Sequence, residues 1–166
     1  MSGMKREPVG PGQESVWDYP RPPLCERVSD AIRIVFDGKE LAATASAVVV
    51  KETSHPPVYY LPPGDVDGSM LEVVRGKSSF CEWKGSAGYV DVVGPSKRAA
   101  AAGWFYAEPV ARFAALKDHY AFYPSRMDAC YVNDELVTAQ AGDFYGGWIT
   151  SKVVGPFKGA AGTWGW

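Results

Sequence analysis

The run Cys81-Glu82-Trp83-Lys84-Gly85 sets a thiol three residues from an ammonium and closes on a glycine. A neighbouring cation favours thiolate over thiol, and the glycine leaves room for a small substrate, so Cys81 is the sharpest candidate nucleophile in the chain. A buried free cysteine is the plain alternative, because neither histidine is adjacent in sequence to act as its base. Lys84 and Lys158 each follow an aromatic residue and precede a glycine. That pattern suits an ammonium reaching an anionic ligand, and it equally suits an exposed turn lysine. His55 stands before Pro56-Pro57, whose fixed backbone makes an extended entrance where an acid or base can be positioned. A loop histidine has the same surroundings. Tyr89, Trp104 and Tyr106 share a face if their strands pair, and Tyr60 can join them. Such a wall stacks against a flat or cationic ligand, or simply fills a core. The candidate ligand-binding set is therefore Tyr60, Cys81, Lys84, Tyr89, Trp104 and Tyr106. The candidate catalytic residues are Cys81 and His55. Glu108, next to Pro109, reads as a helix-capping carboxylate.

The elements that must position these residues are mostly strands. Ala31 to Phe36 alternates apolar and polar, Asp37-Gly38 is a favoured two-residue turn, and Lys39 to Thr44 returns, which predicts a β-hairpin. Ala47 to Lys51 and Pro57 to Leu61 read as strands, the second near a sheet edge. Gly85 to Val93 alternates up to Gly94-Pro95, and Gly103 to Ala107 is the returning partner after an alanine-rich connection. A short helix begins near Pro109 with Val110, Phe113, Ala114 and Leu116 or Lys117 on one face. Then His119 to Tyr123, Met127 to Val132 and Glu135 to Thr138 alternate as strands between turns at Pro124-Ser125 and Asn133-Asp134. The sheet is largely antiparallel. Residues 1–27, rich in proline, form an extended arm anchored by Trp17 and Tyr19. Residues 28–141 are the β domain, and 142–166 are a glycine-rich wrap carrying Phe144, Tyr145, Trp148, Phe157, Trp164 and Trp166, in which Trp164 and Trp166 are expected to be mostly buried.

Composition excludes several function classes. The chain has 166 residues, 46% of them hydrophobic, enough for one core. Its 17 basic and 19 acidic residues are scattered, so no patch offers the footprint of a phosphate-backbone binder, and nucleic acid is not an expected partner. No apolar run approaches the roughly 20 residues of a membrane span. The first dozen residues lack both the apolar segment of a secretory signal and the arginines of an organellar presequence, so a cytoplasmic location is expected. Three cysteines without a C-x-x-C pair, and two histidines, argue against a disulfide framework or a zinc centre. No metal or cofactor is expected.

Four motifs stand in order: His55-Pro56-Pro57-Val58-Tyr59-Tyr60-Leu61-Pro62, Cys81-Glu82-Trp83-Lys84-Gly85, Trp104-Phe105-Tyr106-Ala107-Glu108-Pro109 and His119-Tyr120-Ala121-Phe122-Tyr123. In this spacing the chain resembles domain-of-unknown-function family 427, which some catalogues label nucleotidyltransferase-like. The likeness covers about Ile32 to Val137. The tail and the proline-rich arm resemble a longer branch of the family seen in photosynthetic bacteria and plants. The resemblance implies a mainly β fold, a β-tent of two antiparallel sheets with one short helix. Related tents are pinned by zinc through C-x-x-C hairpins, which this sequence lacks. The nucleotidyltransferase label would require clustered carboxylates and a phosphate-cradling loop, neither of which the sequence shows.

Three functional readings follow. The preferred one is a protein that binds a small anionic or aromatic molecule in an aromatic-lined pocket with Lys84 as its polar contact. The second is an enzyme acting on a small metabolite through Cys81 or His55. The third is an interaction protein whose arm and aromatic tail wrap a partner chain, the arm being a route to a homo-oligomer.

Overall fold

The computed structural model describes residues 4–142 and 145–166; Phe144, counted above among the tail aromatics, lies outside the described residues. The strands in chain order begin with β1 (Glu14–Ser15), β2 (Leu24–Arg27), β3 (Ile32–Phe36), β4 (Lys39–Thr44), β5 (Val48–Lys51), β6 (Val58–Tyr60), β7 (Leu71–Cys81) and β8 (Gly85–Val93). They continue with β9 (Arg98–Phe105), β10 (Tyr120–Phe122), β11 (Ala129–Val132), β12 (Glu135–Leu136), β13 (Thr138–Ala139), β14 (Trp148–Ile149) and β15 (Val153–Val154). The protein is mainly β and built from several antiparallel sheets, as the alternation predicts.

Turn chemistry fixes the first sheet, ordered β12-β11-β3-β4. Asp37 and Gly38 both take positive φ, 53° and 73°, as do Asn133 and Asp134 at 48° and 67°. Two consecutive positive φ values match the twist of the flanking strands and set hairpin register at β3–β4 and β11–β12. Ile32, Ile34 and Phe36 are thereby buried on one side of β3, while Arg33 faces water.

Two further sheets, β2-β5-β6 and β10-β9-β8-β7, join edge to edge. Leu61 and Tyr120 exchange backbone hydrogen bonds of 2.7 and 2.9 Å across the seam. The middle of the resulting surface, β2-β5-β6-β10-β9-β8-β7, is buried on both faces around β5, β6 and β10, which is why Val48, Val49 and Val50 can be apolar in succession. Val49, Tyr59, Val90, Val92 and Phe122 pack with Ile32, Ile34 and Phe36 in the main core. Val48, Val50, Tyr60, Ala87, Trp104 and Ala121 form a second apolar layer on the opposite face. Period two thus divides each aromatic pair, Tyr59 from Tyr60 and Trp104 from Phe105, between core and second layer.

That second layer is covered by the segment after Pro109. It is a 3-10 helix, Ala111–Leu116, broken at Phe113 and ended by Lys117 and a positive φ at Asp118. Phe113 and Leu116, three apart as 3-10 geometry requires, are buried, whereas Val110 is 42% exposed. So few residues lie between Pro109 and Asp118 that the cooperative α-helix has no length to form. Glu108 does not cap it: the cap position is Val110, with no side-chain hydrogen bond.

Arm and tail are bound to each other. β1 pairs in parallel with β15. Glu7 accepts from Gly155 N at 2.7 Å and donates its own backbone N–H to Gly155 O at 2.9 Å. The Trp17 indole donates to Pro156 O at 2.8 Å. Val16 and Tyr19 are buried, and β2 of the arm enters the sheet beside β5. Among the described residues the tail's one deeply buried aromatic is Trp148, 1% exposed. Trp164, expected to be buried, is instead 58% exposed, and Trp166 only half-buried. Trp164 leans on the ring of Tyr145, and Trp166 meets the edge of Trp17, so both rings end the chain on top of other side chains rather than inside it.

Candidate functional site

The second apolar layer does not close completely. A cavity of about 220 Å³ opens on it, walled by Tyr60, Tyr89, Trp104, Tyr106, Tyr123 and Tyr145. Strand register accounts for the grouping. Tyr89 and Trp104 are cross-strand partners in β8 and β9 and so project to the same side, and Tyr106 lies two residues on from Trp104. Trp104 is locked from two directions: its indole Nε1–H donates to Tyr60 Oη at 3.2 Å, and the Tyr123 ring lies 4.7 Å away at 47°. Tyr60 meets Trp104 edge-on, centroids 6.2 Å apart. On the near side the backbone of Gly146 passes so close to the Trp104 ring that a Cβ there would collide with it. Burial raises the Tyr60 and Tyr106 hydroxyls above the usual phenol range, so both remain proton donors.

One wall is polar. Glu52, His55 and Gln140 line it together. Gln140 Oε1 accepts from Gly147 N at 3.2 Å, which orients the amide, and its Nε2 donates to Lys158 O at 2.8 Å and towards His55 Nδ1 at 3.3 Å. His55 Nδ1 is therefore the acceptor, and Nε2 carries the proton and faces Glu52 Oε2 at 3.8 Å. Glu52 in turn is held by Arg21 Nε at 3.1 Å. Burial lowers the His55 pKa to about 4, with Glu52 opposing and Lys158, Arg21 and Lys84 reinforcing the shift. At neutral pH the imidazole is uncharged and its unprotonated nitrogen, Nδ1, is held by Gln140.

Lys84 arrives from the β7–β8 turn. Its carbonyl accepts from Val110 N at 3.0 Å, and Gly85, at φ 112°, lies against the backbone of Glu108 and Pro109. The C-E-W-K-G motif is thus a turn pinned to the 3-10 segment, delivering a lysine to the cavity. Among the described residues no carboxylate lies within ion-pair distance of Lys84. No group of three or more His, Cys, Asp or Glu side chains among them is arranged to hold a metal. Among the described residues no helix is long and apolar enough to cross a membrane.

The structure therefore brings Tyr60, Lys84, Tyr89, Trp104, Tyr106 and His55 to one cavity. Cys81 does not line it; it ends β7, half-buried and paired with Gly85. Lys158 is also outside the lining, its ammonium 5.9 Å from the Tyr145 ring. Glu52, Tyr123, Gln140 and Tyr145 also line the cavity, though the sequence offers none of them as a site residue. Tyr123 closes the His119–Tyr123 motif and was findable by asking which aromatic shares Trp104's face. Gln140 carries no local signal, because its role depends on a contact with His55 across 85 positions.

Comparison with known families gives one match: the family described as Domain of unknown function (DUF427) covers residues 24–133. No curated protein matches the chain. The matched span holds Tyr60, Lys84, Tyr89, Trp104 and Tyr106, while Gln140 and Tyr145 fall beyond it.

Proposed function

Since the chain belongs to the domain-of-unknown-function 427 family, whose description names no reaction, we propose from the geometry that it binds a small planar organic acid in this cavity. One observation carries the reading: a concavity of about 220 Å³ is walled by aromatic rings and supplied with a single ammonium, Lys84, that has no carboxylate partner among the described residues. Rings give flat apolar area at little entropic cost, and an ammonium in such surroundings selects an anionic group. Glu52 does not cancel it, since its charge is taken up by Arg21.

Binding fits these residues better than catalysis. A nucleophilic Cys81 would have to face the bound molecule, and it is not on the lining. A general base at His55 would need its unprotonated nitrogen free, and that nitrogen, Nδ1, accepts from Gln140. The test is calorimetric titration of 1-naphthoate and neutral 1-naphthol into the wild-type chain and Lys84→Met. Naphthoate should bind the wild type more tightly than naphthol, and Lys84→Met should abolish that preference. Equal affinities for both molecules in the wild type would sink the reading.

A further inference from the structure

We propose that the aromatic cavity continues outward into an anion subsite formed by Lys77 and Arg126, so that the ligand is an elongated molecule with a flat body and a second, distal anionic group. The inference rests on the ligand reading of the inner cavity but is carried by different residues. Tyr89 and Tyr123 are shared walls: each faces the inner cavity and also a second concavity of about 550 Å³, whose other lining includes Lys77, Ala101, Ser125 and Arg126. The two spaces therefore lie next to each other, with this pair of rings as their common wall.

An irregularity in β7 builds the outer space. Between Val73, opposite Val90, and Ser78, opposite Gly88, four residues of β7 face the single residue Tyr89 of β8. Gly76 within this bulge has φ 75°, a conformation that lets the chain double back. Bulges re-aim side chains, and this one brings the Lys77 ammonium over the Tyr89 ring, 5.0 Å from its centroid. Tyr89 is itself fixed by a 2.7 Å hydrogen bond between its hydroxyl and Ser79 Oγ. Arg126 comes from the turn after Tyr123, at the end of a short 3-10 segment, Pro124–Arg126. Neither Lys77 nor Arg126 forms an ion pair among the described residues, although nearby Arg98 is paired twice, with Glu72 and Asp91. Two cations facing a cavity whose lining holds no carboxylate have the chemistry to receive a carboxylate or phosphate oxygen group; Asp91, which accepts from the lining residue Ala101 at 2.7 Å and feels Arg126, is already paired with Arg98. With Lys84 inside and Lys77 and Arg126 outside, the ligand carries charge at both ends of its flat part.

The test uses 15N NMR of the full chain at fixed ionic strength, following the Arg126 Nε–H and the Trp104 Nε1–H while inorganic phosphate or, in a second arm, acetate replaces chloride, with and without 1-naphthoate. The inference predicts a saturable shift at Arg126, at least fivefold weaker in Lys77→Met, that persists when 1-naphthoate is present. The stronger arm identifies the distal group as phosphate or carboxylate. An Arg126 resonance indifferent to both anions, or one whose shift is unchanged in Lys77→Met, overturns the outer subsite. Should Arg126 respond while 1-naphthoate leaves Trp104 unmoved, the outer subsite stands and the inner-cavity reading alone fails.

Discussion

Trp104 and Lys84 line the same cavity but differ in what they contribute to the fold. Trp104 is 9% exposed, donates to Tyr60 and packs on Tyr123, so Trp104→Ala opens a void and leaves Tyr60 without its donor. The expected cost is about 3 to 5 kcal/mol, read as a lowered denaturant midpoint with unchanged slope. Lys84 is held through its backbone carbonyl, a bond that Lys84→Met keeps. That variant should melt with the wild type and bind 1-naphthoate roughly tenfold less tightly, the usual worth of a hydrogen bond to a charged group. His55 adds a pH dependence. Its folded pKa, about 4, lies below its ordinary value near 6.5, so the unfolded chain binds the proton more readily. Its stabilising effect is full above pH 6.5 and is lost as pH falls towards 4, by up to about 1.4 kcal/mol per pH unit. Thermal melts across that window should be steeper for the wild type than for His55→Gln. Parallel curves would show that His55 is solvated.

Among the elements, those with regular alternation were legible and those without it were not. The β3–β4 hairpin, β8 and β11 follow from period two and turn residues, because one side of each faces a core. β7 has no such signature: most of its eleven residues are exposed and none is fully buried, it forms a sheet edge, and its bulge interrupts the period. β9 begins earlier than the sequence suggests, at Arg98, since alanines that favour no strand are held there by pairing with β8. The aromatic side of the cavity could be read because Tyr89, Trp104 and Tyr106 obey strand periodicity; its polar side could not, because Glu52, His55 and Gln140 meet only through tertiary contacts. Gly76 tests the element that was missed. Gly76→Val puts a β-branched residue at φ 75° and should cost about 1 kcal/mol or more while weakening phosphate at Arg126. Unchanged stability would mean that the bulge relaxes freely.

At the scale of the whole molecule, the arm and tail close the chain by clasping each other. Deleting residues 142–166 removes Trp148, 1% exposed in the main core, together with the partner of β1. Loss of that ring alone should cost about 3 to 5 kcal/mol, so the truncated chain should unfold at a much lower temperature. Trp164→Ala, by contrast, should change stability by no more than about 0.5 kcal/mol, as expected for a ring that is mostly in water. The deletion also strips Gly146 and Tyr145 from the cavity, which ties the tail to the site as well as to the fold. The central claim, that this cavity holds a planar acid, is tested most directly at the indole Nε1–H of Trp104, assigned by its disappearance in Trp104→Phe and followed while 1-naphthoate is added to the full-length chain. The account predicts a saturable shift of that resonance, strongly weakened in Lys84→Met; a Trp104 signal that stays in place while naphthoate binds elsewhere, or does not bind, contradicts it.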